Sequence, residues 1–300
     1  MKRSIFISCI SLFIFIPQSL LTCFVSSAED SNWSWPIQHS ETNRFLVDQN
    51  NLPFFALGDC LWKMHLYSPE DVKLIFEDRQ EKGFTVLCIA TGCEGDLTNY
   101  AGEHAFKSDD FSKPNKQYWS HIDFMIQAAY DRNMAVMLNP IWIRHHRDRI
   151  RKAGPEGCYV YGKWISNRYK PFRNVMYFLG GDHPPREETD EINQMAKGIK
   201  DAWPEALITY HAEHQHPSRD FFPNTGWLDI NWTYAYTPEH RKPDFPYNQG
   251  FEEWQRHPTT PIWFSEGYYD WGGVGLKGND VGRYMMRRQL YCAFLSSIAG

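Results

Sequence analysis

Residues 174–185, NVMYFLGGDHPP, decide how the rest of the chain is read. The run 175–179 is apolar and aromatic, which fits a strand covered on both faces. Gly180 and Gly181 then permit a sharp turn and a close approach to the backbone, and Asp182 and His183 follow at once. Two titratable groups therefore stand at the carboxyl end of a strand, the end at which α/β barrels carry their catalytic residues. Taken alone, the stretch leaves a second reading open, in which Asp182 caps the next helix.

On either side of it, strand and helix signals alternate without a linker. Apolar runs at 53–58, 85–91, 135–141, 175–179, 207–212, 228–236 and 261–265 read as seven strands. Helical stretches are predicted between and after them, at 68–82, 118–132, 161–172, 188–203, 251–256 and 281–298. The first of these carries its own start signal, a Ser68 cap with Pro69 at the first helical position, and a stop at Gly83. Seven βα units predict an α/β fold, a (β/α)8 TIM barrel in which the eighth strand is not reached by Gly300. Strands one and seven are then expected to have open edges.

Composition narrows the function. A length of 300 residues admits one large barrel or two ordinary domains, and 42% hydrophobic residues suffice for a sizeable core. Twelve Trp and sixteen Tyr suit either an aromatic-rich barrel or a cleft that stacks on the apolar faces of sugar rings. A net charge of −5, with mixed signs and no basic stripe, argues against a nucleic-acid partner.

Residues 1–28 read as a secretory signal. Lys2 and Arg3 precede an apolar run at 5–16, and Ser26-Ser27-Ala28 offers a cleavage site. The run is too short for stable membrane insertion. The catalytic domain is then 29–300, exported to the periplasm or beyond the cell. Cys23, in LLTC, leaves a lipid anchor as the lesser reading. Past residue 28 five cysteines remain, an odd number without CxxC spacing, which fits neither a disulfide framework nor a zinc site. Cys60 and Cys93 follow neighbouring strands, and export makes a bridge between them chemically possible.

Polar residues gather at the predicted strand ends: Asp59 and Trp62, Asn139 and Trp142, Asp182 and His183, His211, Asp229 and Trp232, and Glu266 with Tyr268 and Tyr269. A closed barrel would bring them to one mouth. Asp182 and Glu266 are the pair with chemistry, because two carboxylates flanking a bound acetal can cleave a glycosidic bond. Asp182, in a compact and dry turn, is expected to be the acid/base, and Glu266, beside two tyrosine hydroxyls that would keep it ionised, the nucleophile. Asp59, Trp62, Asn139, Trp142, His183, His211, Asp229 and Tyr269 are expected to bind the substrate. The HAEHQH run (211–216) suggests metal, yet there is no HExxH, and neither metal nor cofactor is expected. His145-His146-Arg147 reads as a solvated loop or a lip of the cleft. Gly272, Gly273, Gly275 and Gly278 read as a mobile loop over the site.

Several stretches in the same order resemble one known family. GDCLW (58–62), KGF (82–84), PNKQYWSHID (114–123), NPIW (139–142), FLGGDHP (178–184), TYH (209–211), WLDIN (227–231) and SEGYYD (265–270) are similar to the apiosidase-like glycoside hydrolases, glycoside hydrolase family 140. The resemblance runs from about residue 45 to the end. It implies a (β/α)8 barrel acting on plant cell-wall pectin side chains, with Asp182 as acid/base and Glu266 as nucleophile. Cys60 stands where that family usually has Thr, and a small β-domain often follows the barrel in such proteins. The expectation is an exported glycoside hydrolase acting on a plant or algal polysaccharide or derived oligosaccharide, with an apiose-like or other pentose beside the carboxylates. A carbohydrate-binding protein without activity on the same barrel is the main alternative, and a metal-dependent hydrolase a further one.

Overall fold

The structure is a computed structural model that describes residues 32–93, 95, 97–235, 244–269, 279–296, 298 and 300. The signal segment 1–28 with Cys23, the loop residues Glu94 and Asp96, and the glycine loop 272–278 lie outside the described residues.

Three two-residue strands open the unit: β1 (Gln38–His39), β2 (Leu46–Val47) and β3 (Pro53–Phe54) form a small antiparallel sheet. Ile37, Leu46, Phe54 and Ala56 pack against Val86, Ala135, Met176 and Leu207, so the sheet plugs the amino-terminal end of the barrel. Asp48 is fully buried in this plug, and its carboxylate accepts from the backbone amides of Ser34, Asn50 and Leu52.

Among the described residues the barrel has seven parallel strands: β4 (Gly58–Leu61), β5 (Val86–Ala90), β6 (Ala135–Asn139), β7 (Val175–Gly180), β8 (Ile208–His211), β9 (Asn231–Tyr234) and β10 (Ile262–Glu266). Strands β4 to β8 form one sheet in sequential order, and β9 pairs with β10. No regular ladder joins β8 to β9, where Asp229 N donates to Ile208 O (2.9 Å) and the Thr209 hydroxyl donates to Ile230 O (2.7 Å). At the other seam, Cys60 Sγ donates to Ser265 O (3.4 Å), and Phe264 N donates to Gly300 O (2.7 Å). The β10 edge expected to be open therefore meets the Gly300 carbonyl.

Strand parity separates two cores. Val86, Cys88, Ala90, Met137, Met176, Phe178, Trp232 and Trp263 face the barrel axis. Leu87, Ile89, Val136, Leu138, Val175, Tyr177 and Tyr210 face the surrounding helices. Those helices are α1 (Pro69–Glu81), α2 (Lys116–Tyr130), α3 (Ile143–Tyr169), α4 (Thr189–Ala202), α5 (Ser218–Phe221), α6 (Phe245–Gln255) and α7 (Asn279–Leu295). The α1 start is as its sequence states, with the Ser68 hydroxyl accepting from Asp71 N.

Two expectations change. The apolar run 53–58 is divided: Pro53 and Phe54 belong to the plug, and the first barrel strand begins only at Gly58. Proline has no amide to give a central ladder, which suits it to the two-residue edge strand β3. The third crossover is a 27-residue helix from Ile143 rather than a shorter one from 161, and Gly154 (φ 65°) with Pro155 breaks it into two segments. That punctuation hid the first segment, so His146 is not solvated. It is 1% exposed, its Nε2 meets Gly92 O at 2.9 Å, and Arg149 Nη1 lies 3.0 Å from its Nδ1. An arginine only donates, so Nδ1 accepts and the ring proton sits on Nε2.

Candidate active site

Three consecutive residues with positive φ turn the chain at the top of β7: Gly180 (87°), Gly181 (136°) and Asp182 (59°). Glycine is required at Gly181, where a Cβ would fall on the Trp142 indole. The turn sends Asp182 over the barrel mouth, where its backbone N–H donates to His211 Nδ1 (3.2 Å). Because a backbone amide only donates, Nδ1 accepts and the His211 proton sits on Nε2, 3.2 Å from Glu266 Oε2. His211 is 1% exposed, at the end of β8.

Glu266 reaches the same point through an irregularity in its own strand. Trp263 faces the axis and Phe264 the helices, so simple alternation would send residue 266 outward. The register between β9 and β10 shifts between Phe264 and Glu266, which sets Glu266 opposite Tyr234. Tyr269 donates a short hydrogen bond from its hydroxyl to Glu266 Oε1, and Trp62 Nε1 donates to the Tyr269 oxygen (3.1 Å). Burial, then the Glu266 charge, pushes the Tyr269 phenol far up, so it remains a donor. The 8% exposed Glu266 carboxylate thus receives two donors, one on each oxygen.

The polar ends of Asp182, His211 and Glu266 all lie within 4.8 Å of one another. Asp182 is not in the dry turn expected for it. Its side chain is 29% exposed, and Arg144 Nη1 donates to its Oδ2 at 3.3 Å. His183 is partly exposed, and burial and then Arg147 and Arg144 lower its pKa.

The other expected site residues divide. Trp62 and Trp142 stand together, ring centroids 5.1 Å apart, and both contact His211. Trp62 is partly exposed, whereas Trp142 is 1% exposed and serves as floor. Its Nε1 is buried without a hydrogen-bond partner. Asn139 is fully buried, and its amide donates to Phe178 O (3.0 Å) and Gly180 O (3.3 Å), so it holds the end of β7 instead of facing a ligand. Asp59 is not in the cleft. It pairs with Leu87 on the outward parity of β4 and forms an ion pair with Arg79 of α1. Asp229 lies before β9, at the opposite end of the barrel, where it accepts from Ile208 N (2.8 Å) and meets Lys200 Nζ (2.7 Å). Cys60 is a free thiol in register with Cys88, so the bridge to Cys93 that export made chemically possible is not formed.

Sequence reasoning missed two residues here. Tyr234 ends β9, lies against His211 with ring centroids 4.5 Å apart and the planes tilted by 38°, and has its phenol pushed up by burial and then by Asp182 and Glu266. Its signal was inward parity with Trp232. Arg144, which reaches Asp182, carried no signal beyond its place two residues after Trp142. His214 and His216 do not join His211: His214 lies beside Tyr234, and His216 approaches Asp220 at 3.7 Å.

The family model for the apiosidase-like catalytic domain matches residues 40–300. Among curated proteins nothing matches the chain. Among solved structures, a glycoside hydrolase family 5 protein from Bacteroides vulgatus superposes with a TM-score of 0.78 at 22% identity, covering 88% of this chain and 60% of that one. A structure described as a glycoside hydrolase gives 0.75 at 22% identity over 89% of this chain and 64% of that one. A glycoside hydrolase family 5 mannosidase from Rhizomucor miehei gives 0.67 at 12% identity over 90% and 85%. The chain thus spans 60% and 64% of the length of the first two. Likeness at these identities establishes the (β/α)8 fold. Together with the match over 40–300, it means that the chain belongs to the apiosidase-like catalytic domain family.

Proposed function

We propose that the chain is an exported glycoside hydrolase that cleaves a glycosidic bond in a plant or algal cell-wall polysaccharide, or in an oligosaccharide cut from one, with retention of configuration. The observation that supports this most is the approach of the Asp182 and Glu266 oxygens to within 4.8 Å. A separation of about 5–5.5 Å suits direct attack by one carboxylate, whereas about 6.5–9.5 Å would leave room for a water.

In this reading Glu266 attacks the anomeric carbon while Asp182 gives its proton to the departing glycosidic oxygen. Water then attacks the same carbon, Asp182 takes the water's proton, and Glu266 leaves. His211 and Tyr269 hold the Glu266 carboxylate in place and aim it. Trp62 borders the sugar, and an apiose-like or other pentose occupies the position beside the carboxylates.

Residues 1–28 serve export, and among the described residues no helix is long and apolar enough to cross a membrane. The test is release of monosaccharide from a panel of pectic and hemicellulosic oligosaccharides, with the first-formed anomer read by NMR. No turnover on any member would favour a binding protein, an inverted first product would overturn retention, and loss of turnover on chelation would favour the metal-dependent alternative.

A further inference from the structure

We propose that Arg147 is a positioning residue for the acid/base step: its guanidinium, locked against Glu188, holds the main chain beyond Asp182 and so sets where that carboxyl points. The inference rests on the acid/base reading of Asp182.

A turn with three left-handed residues in succession does not hold itself, since each lies outside the broad wells of the backbone. Pro184 and Pro185 follow, and neither has an N–H with which to anchor the segment. Their carbonyls are what the protein can grip. Arg147 Nη2 donates to Pro184 O (2.9 Å), and its Nη1 donates to Pro185 O (3.4 Å) and, over a short contact, to Glu188 Oε2. Tyr210 completes the set by donating its hydroxyl to His183 O (2.8 Å).

Glu188 is 0% exposed, so its charge must be paired where it lies. Arg147 supplies one partner and Arg151 Nη1, 3.0 Å from Oε1, the other. The buried carboxylate fixes the guanidinium plane, and only a planar fork can then reach two carbonyls at once. Lysine would keep the charge beside Glu188 and lose that fork. From the same helix, Arg144 meets the Asp182 carboxylate itself.

The experiment compares wild type with R147K, R147M and D182N on the oligosaccharide from which the wild type releases sugar and on the 4-nitrophenyl glycoside of that sugar, with thermal melts alongside. The nitrophenol leaves without a proton, so misplacement of the acid spares it. R147K and R147M are expected to lose about 10- to 100-fold more kcat/KM, which reports the step in which the leaving group departs, on the oligosaccharide than on the aryl glycoside, and D182N to lose more in the same sense. R147K keeps the charge that Glu188 needs, so it reports even where R147M fails to fold. Selective loss in D182N with equal loss on both substrates, or none, in R147K would overturn the positioning role alone. No selectivity in D182N would overturn the acid/base reading and this inference with it.

Discussion

His211 Nε2 lies 3.2 Å from Glu266 Oε2 while Nδ1 of the same ring accepts from the Asp182 amide, so one imidazole ties the two carboxylate-bearing segments together. The order of the hydrogen bonds is set by the amide, which can only donate. The ring thus gives its one N–H to the residue proposed as nucleophile, and the Asp182 carboxyl takes a donor from Arg144 instead.

Replacing the two carboxylates should separate their roles. Glu266→Ala is expected to lower turnover by about 10³-fold or more, with azide restoring cleavage of an activated aryl glycoside as the glycosyl azide. Near-normal turnover by this variant on the natural oligosaccharide would remove Glu266 from the reaction.

Tyr269→Phe removes one of the two donors to Glu266 and, with the same hydroxyl, the acceptor of the Trp62 indole N–H. A hydrogen bond to a charged group is worth about 1.5–3 kcal/mol, so kcat should fall by about 10- to 100-fold. Unchanged kcat and KM would show that Glu266 does not rely on this phenol.

Trp62 and Trp142 stand side by side but should respond differently. Trp62→Ala, at the partly exposed ring, is expected to raise KM with little change in melting temperature. Trp142→Ala, at the 1% exposed floor, should cost about 3–5 kcal/mol of stability. Denaturant unfolding of both variants tests this, and a stable Trp142→Ala with weakened binding would move that ring back to the substrate.

Stability should decline on mild acidification through His146. Burial, and after it the charge of the Arg149 guanidinium, lowers its pKa from 6.5 to about 4, against the opposing pull of the hydrogen bond to Gly92 O. The unfolded chain takes up a proton near the ordinary value while the fold refuses it until the lower one. The contribution is therefore complete above 6.5 and is lost as pH falls towards 4. It amounts to on the order of 3 kcal/mol. His65, fully buried and lowered in the same way, adds to the slope. Melting temperatures from about pH 7.5 to about pH 4.5 should fall less in His146→Gln than in wild type; parallel curves would contradict the assignment.

What the chain's local chemistry determined by itself is the barrel and its chemical pair. Apolar runs of strand length, helix periodicity, the Ser68 cap and the glycines before Asp182 are short-range signals, and each acts within a few residues of itself. They located β5 to β8 and put Asp182, His211 and Glu266 at strand ends. Tertiary structure decided which way side chains face. Asp59 and Cys60 are neighbours in sequence, yet the β4–β5 register sends one to Arg79 and the other to the axis. Asp229 lies close to a strand but at its wrong end. Glu266 enters the cleft only through the register shift against β9, and Arg144 and Arg147 join the site from α3 and Tyr234 from β9. The physical reason is that parity, bulges and long-range ion pairs depend on the partner strand or helix, which no window of the sequence contains.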